Sequence, residues 1–152
     1  MKKVTEIPAT IFPKAKNTKA KLNVAAYCRV STESETQENS LENQTMHYKN
    51  EIESNPNWTL VDVFVDFGVS GLNDTKRTEF MRMIEMCEKG KIDLILTKSI
   101  SRFARNQLDC LSYIRKLKVK NVGIRFDKEG INTLEPSSEI FLSWFSAFAQ
   151  AE

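Results

Sequence analysis

The chain has 152 residues, of which 41% are hydrophobic and 28% charged, and a formal net charge of +2. That is one domain's worth of sequence with enough apolar material for a true core, which excludes a disordered or fibrous protein. No apolar run approaches the roughly 20 residues of a membrane helix, and Met1-Lys2-Lys3 is followed by no signal-peptide core, so the expected location is cytoplasmic.

The charge is unevenly spread. Residues 1–21 hold six lysines against Glu6, leaving 16 basic and 19 acidic residues in the rest of the chain. A body with a net charge of −3 cannot neutralise many phosphates over its whole surface, so a nucleic-acid contact has to be local or lie in the basic arm. Cys28, Cys87 and Cys110 are odd in number and widely spaced, and His47 is the lone histidine. Neither a disulfide framework nor a zinc site fits that set, and the thiols are expected to be reduced and partly buried.

Residues 1–22 carry Pro8, Pro13 and interleaved lysines without periodicity and are expected to form a basic flexible arm. Residues 24–30 form the first predicted strand. Leu41, Thr45, Tyr48 and Ile52 then mark a helix that must end before Pro56. Residues 58–66 are the second strand, and a turn-rich loop over 67–77 follows. The next helix has Phe80, Met83, Ile84 and Cys87 on one stripe and is stopped by Gly90. Residues 92–98 are the third strand, Ala104, Leu108, Leu111, Ile114 and Leu117 share one helix face, and residues 122–126 are a fourth strand. Strands alternating with helices predict an α/β domain with an open, mainly parallel sheet of four to five strands and helices on both faces.

The last segment, 136–152, packs Ile140, Phe141, Leu142, Trp144, Phe145 and Phe148 into a stripe wider than a surface helix needs. Core and subunit contact are both open for it. With no stop signal at Ala151-Glu152, the helix is expected to continue in a longer parent chain.

Ligands of open parallel sheets sit outside the carboxyl ends of the strands. The polar residues expected there are Arg29 and Ser31 after the first strand and Asp66 and Arg77 after the second. Ser99, Ser101, Arg102 and Arg105 follow the third, and Asp127 to Gly130 the fourth. Four arginines thus converge on one edge. Arg102 and Arg105 are expected on one face at a helix start, where free backbone N–H groups also favour an anion. Guanidinium groups suit phosphate oxygens, and holding four together costs folding energy unless an anion is bound. By position alone Ser31 is open between a turn former and a nucleophile, and a lone histidine inside a helix gives it no triad. The polar, glycine-free stretch 32–40 argues against a nucleotide phosphate cradle. Asp62 and Asp66, four apart on one strand, make a weak metal-site candidate.

Several stretches together resemble the catalytic domain of the serine recombinase (resolvase/invertase) family. They are Tyr27-Cys28-Arg29-Val30-Ser31-Thr32, Ser40-Leu41-Glu42-Asn43-Gln44, Asp66-Phe67-Gly68-Val69-Ser70-Gly71 and Lys98-Ser99-Ile100-Ser101-Arg102-Phe103-Ala104-Arg105, then Glu129-Gly130-Ile131-Asn132-Thr133 and Ala149-Gln150-Ala151-Glu152. The likeness covers roughly residues 23–152 with the motifs in order. It implies a resolvase-like catalytic domain over 23–134 that leads at 135–152 into the truncated start of a long dimerisation helix. It also implies that Ser31 attacks a DNA phosphodiester to form a 5′-phosphoserine link, with Arg29, Arg102 and Arg105 stabilising charge on phosphorus. Arg77, Gln44 and Asp66 match supporting catalytic positions, and Tyr27, Ser99 and Ser101 are expected on the substrate side. Ser101 stands where smaller family members carry aspartate, and an apolar residue near Met86 stands where they carry lysine, both as in the large members. The resemblance implies no metal and no other cofactor, DNA and a second copy of the chain as partners, a tetramer during synapsis, and no membrane. From other classes, a metal-dependent nuclease around Asp62 and Asp66 and a non-catalytic anion-binding dimerisation module remain as alternatives.

Overall fold

The structure, a computed structural model, describes residues 21–31, 40–68 and 77–151, the side chains of Ser31 and of residues 148–151 excepted. The expected basic arm up to residue 20, the polar stretch 32–39 and the expected loop over 69–76 lie outside the described residues. Four parallel strands, β1 (Leu22–Ser31), β2 (Trp58–Gly68), β3 (Leu94–Thr97) and β4 (Gly123–Phe126), are joined by an antiparallel edge, β5 (Ile131–Asn132). The sheet order is β2-β1-β3-β4-β5, which makes β1 an interior strand. The helices are α1 (Leu41–Ser54), α2 (Thr78–Glu88), α3 (Ile100–Phe103), α4 (Gln107–Val119) and α5 (Ser138–Ala151).

Alternation along β1 and β3 feeds two cores. Ala25, Tyr27 and Ile95 join α2, α4 and α5 in the larger one, whereas Val24, Ala26, Cys28, Leu94 and Leu96 meet Tyr48 and Ile52 of α1 in the smaller one. A strand buried on both faces has no polar alternation, which is why these segments appear as continuous apolar runs in the sequence. The larger core is rich in edge-to-face aromatics: Phe80 lies 5.2 Å from Tyr27, 5.1 Å from Phe103 and 5.0 Å from Tyr113, centroid to centroid.

The helix ends follow local chemistry. Ser40 Oγ accepts the Asn43 N–H at 3.2 Å to start α1. Gly90, at φ +78°, closes α2 while the Lys91 N–H reaches back to the Met86 carbonyl at 2.9 Å.

Three expectations need correction. The helix face expected through Ala104 is broken, because Ala104 is extended (φ −136°, ψ 158°) and separates α3 from α4. The second helix restarts with Asn106 as its cap, the side chain accepting the Asp109 N–H at 2.8 Å, and in that frame Leu108 is exposed while Cys110, Leu111, Ile114 and Leu117 are buried. The first strand begins earlier than expected, since Leu22 already belongs to β1 and its N–H bonds the Asn57 carbonyl at 2.9 Å. The strand expected over 92–98 keeps ladder pairing only in β3, although Ile92 is buried in the larger core. No helix among the described residues is long and apolar enough to cross a membrane.

The last helix divides its apolar stripe. Leu142 and Phe145 are buried against the larger core, whereas Ile140 is 81% and Trp144 57% exposed. An ion pair between Lys118 of α4 and Glu139 of α5 ties the two helices at the rim.

Candidate active site

The carboxyl ends of β1, β2 and β3 lie side by side, and the sequence places Arg29, Asp66 and Ser99 there. Arg29 pairs with Asp66 in the β1–β2 register, and Ser31, the last residue of β1, pairs with Gly68. Ser31 therefore sits at the strand terminus rather than in the loop beyond it, two residues after Arg29. Its hydroxyl lies outside the described atoms.

Arg29 is tied to the α3 turn by two side-chain-to-backbone bonds. The Arg102 Nη1 donates to the Arg29 carbonyl, and the Arg29 Nη2 donates to the Ser101 carbonyl at 3.3 Å. Burial first, then the positive fields of Arg77, Arg102 and Arg105, hold the Arg29 guanidinium below its ordinary range, with Tyr27 opposing. Four mutually repelling cations surround the end of β1, and an anion there relieves the repulsion.

The arginines are not equivalent. Arg105 is exposed and Arg102 half-buried, whereas Arg77 is only 9% exposed. Its guanidinium stacks 3.6 Å from the Phe80 ring centroid and donates to the Phe103 carbonyl, and its buried Nε has no hydrogen-bond partner among the described residues. Arg77 thus lies beneath the surface, a correction to its expected place on an open edge. Arg102 and Arg105 do not share a helix face either. Arg102 closes the single turn of α3, and Arg105 lies in the bend that follows.

Asp66 is 5% exposed and fully employed. It accepts the Tyr27 hydroxyl at 2.8 Å and the amides of Glu79 and Phe80, both at 3.0 Å. The last two are free donors of the first turn of α2, whose own N-cap residue, Arg77, makes no side-chain cap. Asp66 is therefore the cap of α2, delivered from β2. Tyr27, expected on the substrate side, is 0% exposed and serves as the donor that orients Asp66. Burial, its largest influence, drives the Tyr27 phenol well above its ordinary range, so it stays protonated.

Ser99 is buried and Ser101 exposed, their hydroxyls 3.1 Å apart. Ser99 is thus part of the support, and Ser101 alone of these two faces solvent. Gln44 lies in the first turn of α1, its N–H bonded to the Ser40 carbonyl at 3.0 Å, on the helix that covers the opposite face of the sheet from α2 and α4.

The paired carboxylates do not form a joint site. Asp62 is exposed and pairs with Arg82 at 3.2 Å, while Asp66 is spent on α2 and Tyr27. Among the described residues, no group of three or more His, Cys, Asp or Glu gathers as metal ligands. The buried thiols of Cys28, Cys87 and Cys110 are pushed up to about 12 by desolvation, which leaves them as apolar filler.

Sequence reasoning placed Glu129 in the polar run after the fourth strand but gave it no role; its Oε1 accepts the Ile100 N–H at 3.2 Å. The amino end of α3 is therefore not an open anion cradle, as the free backbone N–H groups expected at this helix start suggested. Asp127, placed in the same run without a role, accepts the Tyr48 hydroxyl at 2.9 Å and Arg125 Nε at 2.7 Å. Both belong to the run of polar residues after β4, but their partners lie 29 and 79 positions away and leave no local signal.

Residues 24–152 match the family model "Resolvase, N terminal domain". The Tn3 transposon resolvase of Escherichia coli is 30% identical over 90 residues, which cover 59% of this chain and 46% of the relative. A resolvase/recombinase of Pseudomonas putida is 31% identical over 132 residues, 86% of this chain and 65% of that protein. This chain spans less than half the length of the Tn3 resolvase. Among solved structures, a resolvase family site-specific recombinase from Streptococcus pneumoniae superposes with a TM-score of 0.71 at 32% identity, covering 86% of this chain and 87% of that one. The N-terminal catalytic domain of TP901-1 integrase shares the fold, with a TM-score of 0.68 at 24% identity over 84% of this chain and 94% of its own. With a family model matched over all but its first 23 residues, the chain belongs to the resolvase N-terminal domain family.

Proposed function

We propose that this domain carries the chemistry of site-specific DNA recombination. In this reading Ser31 Oγ attacks a DNA phosphorus, an Oγ–P bond forms as the P–O3′ bond breaks, and the 3′-oxygen leaves with a proton as a free hydroxyl. The phosphodiester energy is kept in the 5′-phosphoserine link, and reversal on a new 3′-hydroxyl rejoins the strands. Arg29, Arg102 and Arg105 stabilise the charge that builds on the equatorial oxygens. Arg77 adds to the field from below. Asp66 and Tyr27 hold α2 and the end of β2, Ser99 supports α3, Ser101 lies on the substrate side, and Gln44 is assigned a supporting role from α1.

The observation that carries this reading is the bonding of Arg102 to the Arg29 carbonyl and of Arg29 to the Ser101 carbonyl at the end of β1, two residues before Ser31, with Arg29 in the field of the other arginines. The names of the relatives at 30% identity or more, resolvases and recombinases, agree with it. The division of labour follows: the catalytic domain begins with β1 at Leu22 and runs to 134, behind a basic stretch, and 135–152 are the start of a dimerisation helix. The protein acts on DNA in the cytoplasm, as a dimer through α5 that pairs into a tetramer at synapsis.

The test is Ser31→Ala in the full-length protein, incubated with DNA carrying its recombination site. The variant is expected to bind that DNA as tightly as the wild type and to form no covalent protein–DNA adduct on a denaturing gel. An adduct formed by the variant removes Ser31 as nucleophile. A wild type that binds DNA but never forms an adduct favours the non-catalytic anion-binding module instead.

A further inference from the structure

A single helical turn cannot hold itself together, because nucleation fixes several residues for very few hydrogen bonds. α3 is four residues long, and Arg102 is one of them. Ser99 occupies its N-cap position with extended backbone (φ −160°, ψ 163°), but its hydroxyl is turned to Ser101 and caps nothing. The cap arrives from the loop after β4, where Glu129 Oε1 accepts the Ile100 N–H at 3.2 Å.

That loop has a firm base. The amides of Asp127 and Lys128 continue the sheet pairing onto the carbonyls of Thr97 and Lys98 at 3.0 and 2.8 Å. The Asp127 carboxylate is gripped by the Tyr48 hydroxyl from α1 and by Arg125, which in turn reaches Glu51 at 2.8 Å. Beyond Glu129 the turn closes through Gly130 at φ +68°, its N–H bonded to the Phe126 carbonyl at 2.8 Å. Glu129 is therefore presented from a fixed point on the sheet to the amino end of α3.

We propose that Glu129 is a positioning residue: by capping α3 it fixes Arg102 against the Arg29 carbonyl, and so sets the shape of the arginine site. The inference rests on the reading of that site given above. Charge alone argues the opposite effect, since a carboxylate beside an anion site repels the anion, and this opposition makes the proposal decidable.

The experiment titrates the protein with inorganic phosphate and follows the Arg102 Nε–H resonance in the wild type, Glu129→Ala and Glu129→Gln, with amide exchange at Ile100 read in parallel. Positioning predicts that Glu129→Ala weakens phosphate about five-fold and speeds exchange at Ile100. Glu129→Gln, which keeps an acceptor oxygen without the charge, restores both to within about two-fold of the wild type. Should Glu129→Ala fail to fold, Glu129→Asp, one methylene too short to reach Ile100, is expected to give the same weakening in a folded domain. Phosphate binding by Glu129→Ala or Glu129→Asp as tight as, or tighter than, that of the wild type overturns the proposal and leaves the arginine site standing. A wild type in which phosphate moves no arginine resonance overturns both.

Discussion

At the scale of single residues, the site is built by polar side chains that hold other groups in place. Asp66 satisfies one phenol and two amides in a nearly dry position. Removing it orphans the Tyr27 hydroxyl and uncaps α2 together. Asp66→Ala is accordingly expected to cost about 2–4 kcal/mol, read as a lower urea midpoint with an unchanged slope. Glu51 gives a prediction of different kind. The hydrogen bond from Arg125 holds its carboxyl below the usual carboxylate range. A depressed folded-state pKa contributes stability above the unfolded value of about 4.3, and that contribution is lost as pH falls through the folded value. The stability difference between the wild type and Glu51→Gln is therefore expected to be constant near neutrality and to shrink below about pH 4.3 in unfolding titrations. The identities of these residues were legible in the sequence; their partners were not. Arg77 shows why: a guanidinium in a polar stretch is expected at the surface, and only the stacking of Phe80 and the turn at Phe103 draw it inward.

Elements were legible wherever apolar spacing is long and regular, as in β1, α2 and the buried stripe of α4. The sequence was misleading where the backbone changes direction without glycine or proline. Ala104 is a good helix former in extended conformation, held because α3 is capped from outside and Asn106 starts a new helix. β5 has two residues, too few for any period to register, and exists because Thr133 completes the edge, its Oγ1 accepting the Ile124 N–H at 2.9 Å. Packing between elements is concentrated on Phe80, which touches the rings of Tyr27, Phe103 and Tyr113 and underlies Arg77. Phe80→Ala is expected to destabilise the domain by about 3–5 kcal/mol in chemical denaturation. Phe80→Leu refills much of that volume without the π face, so it is expected to recover most of the stability while leaving the Arg77 guanidinium less ordered in its NMR spectrum.

For the whole molecule, the exposed half of the α5 stripe is the feature the cores do not absorb. Ile140 and Trp144 are one helical turn apart and both largely solvent-facing, while Leu142 and Phe145 anchor the helix to the domain. If α5 is a dimerisation helix, Ile140→Glu combined with Trp144→Glu leaves the fold intact and converts a dimer to a monomer in sedimentation velocity. A wild type that sediments as a monomer at high micromolar concentration counts against that assignment. The sequence stripe alone could not divide these residues between core and contact, since the division depends on how α5 lies on α4.

The interior position of β1 has a consequence for biosynthesis. This strand pairs with β3, and the bonds that tie Arg29 to Ser101 and Arg102 to Arg29 join residues 72 and 73 positions apart in the chain. On a translating ribosome, the strand that carries Arg29 emerges early and waits, one edge unpaired, until the third strand and the turn after it have cleared the exit tunnel. The arginine cluster therefore cannot exist in any shorter nascent chain: a cell meets this cationic pocket only after nearly the entire domain has been made.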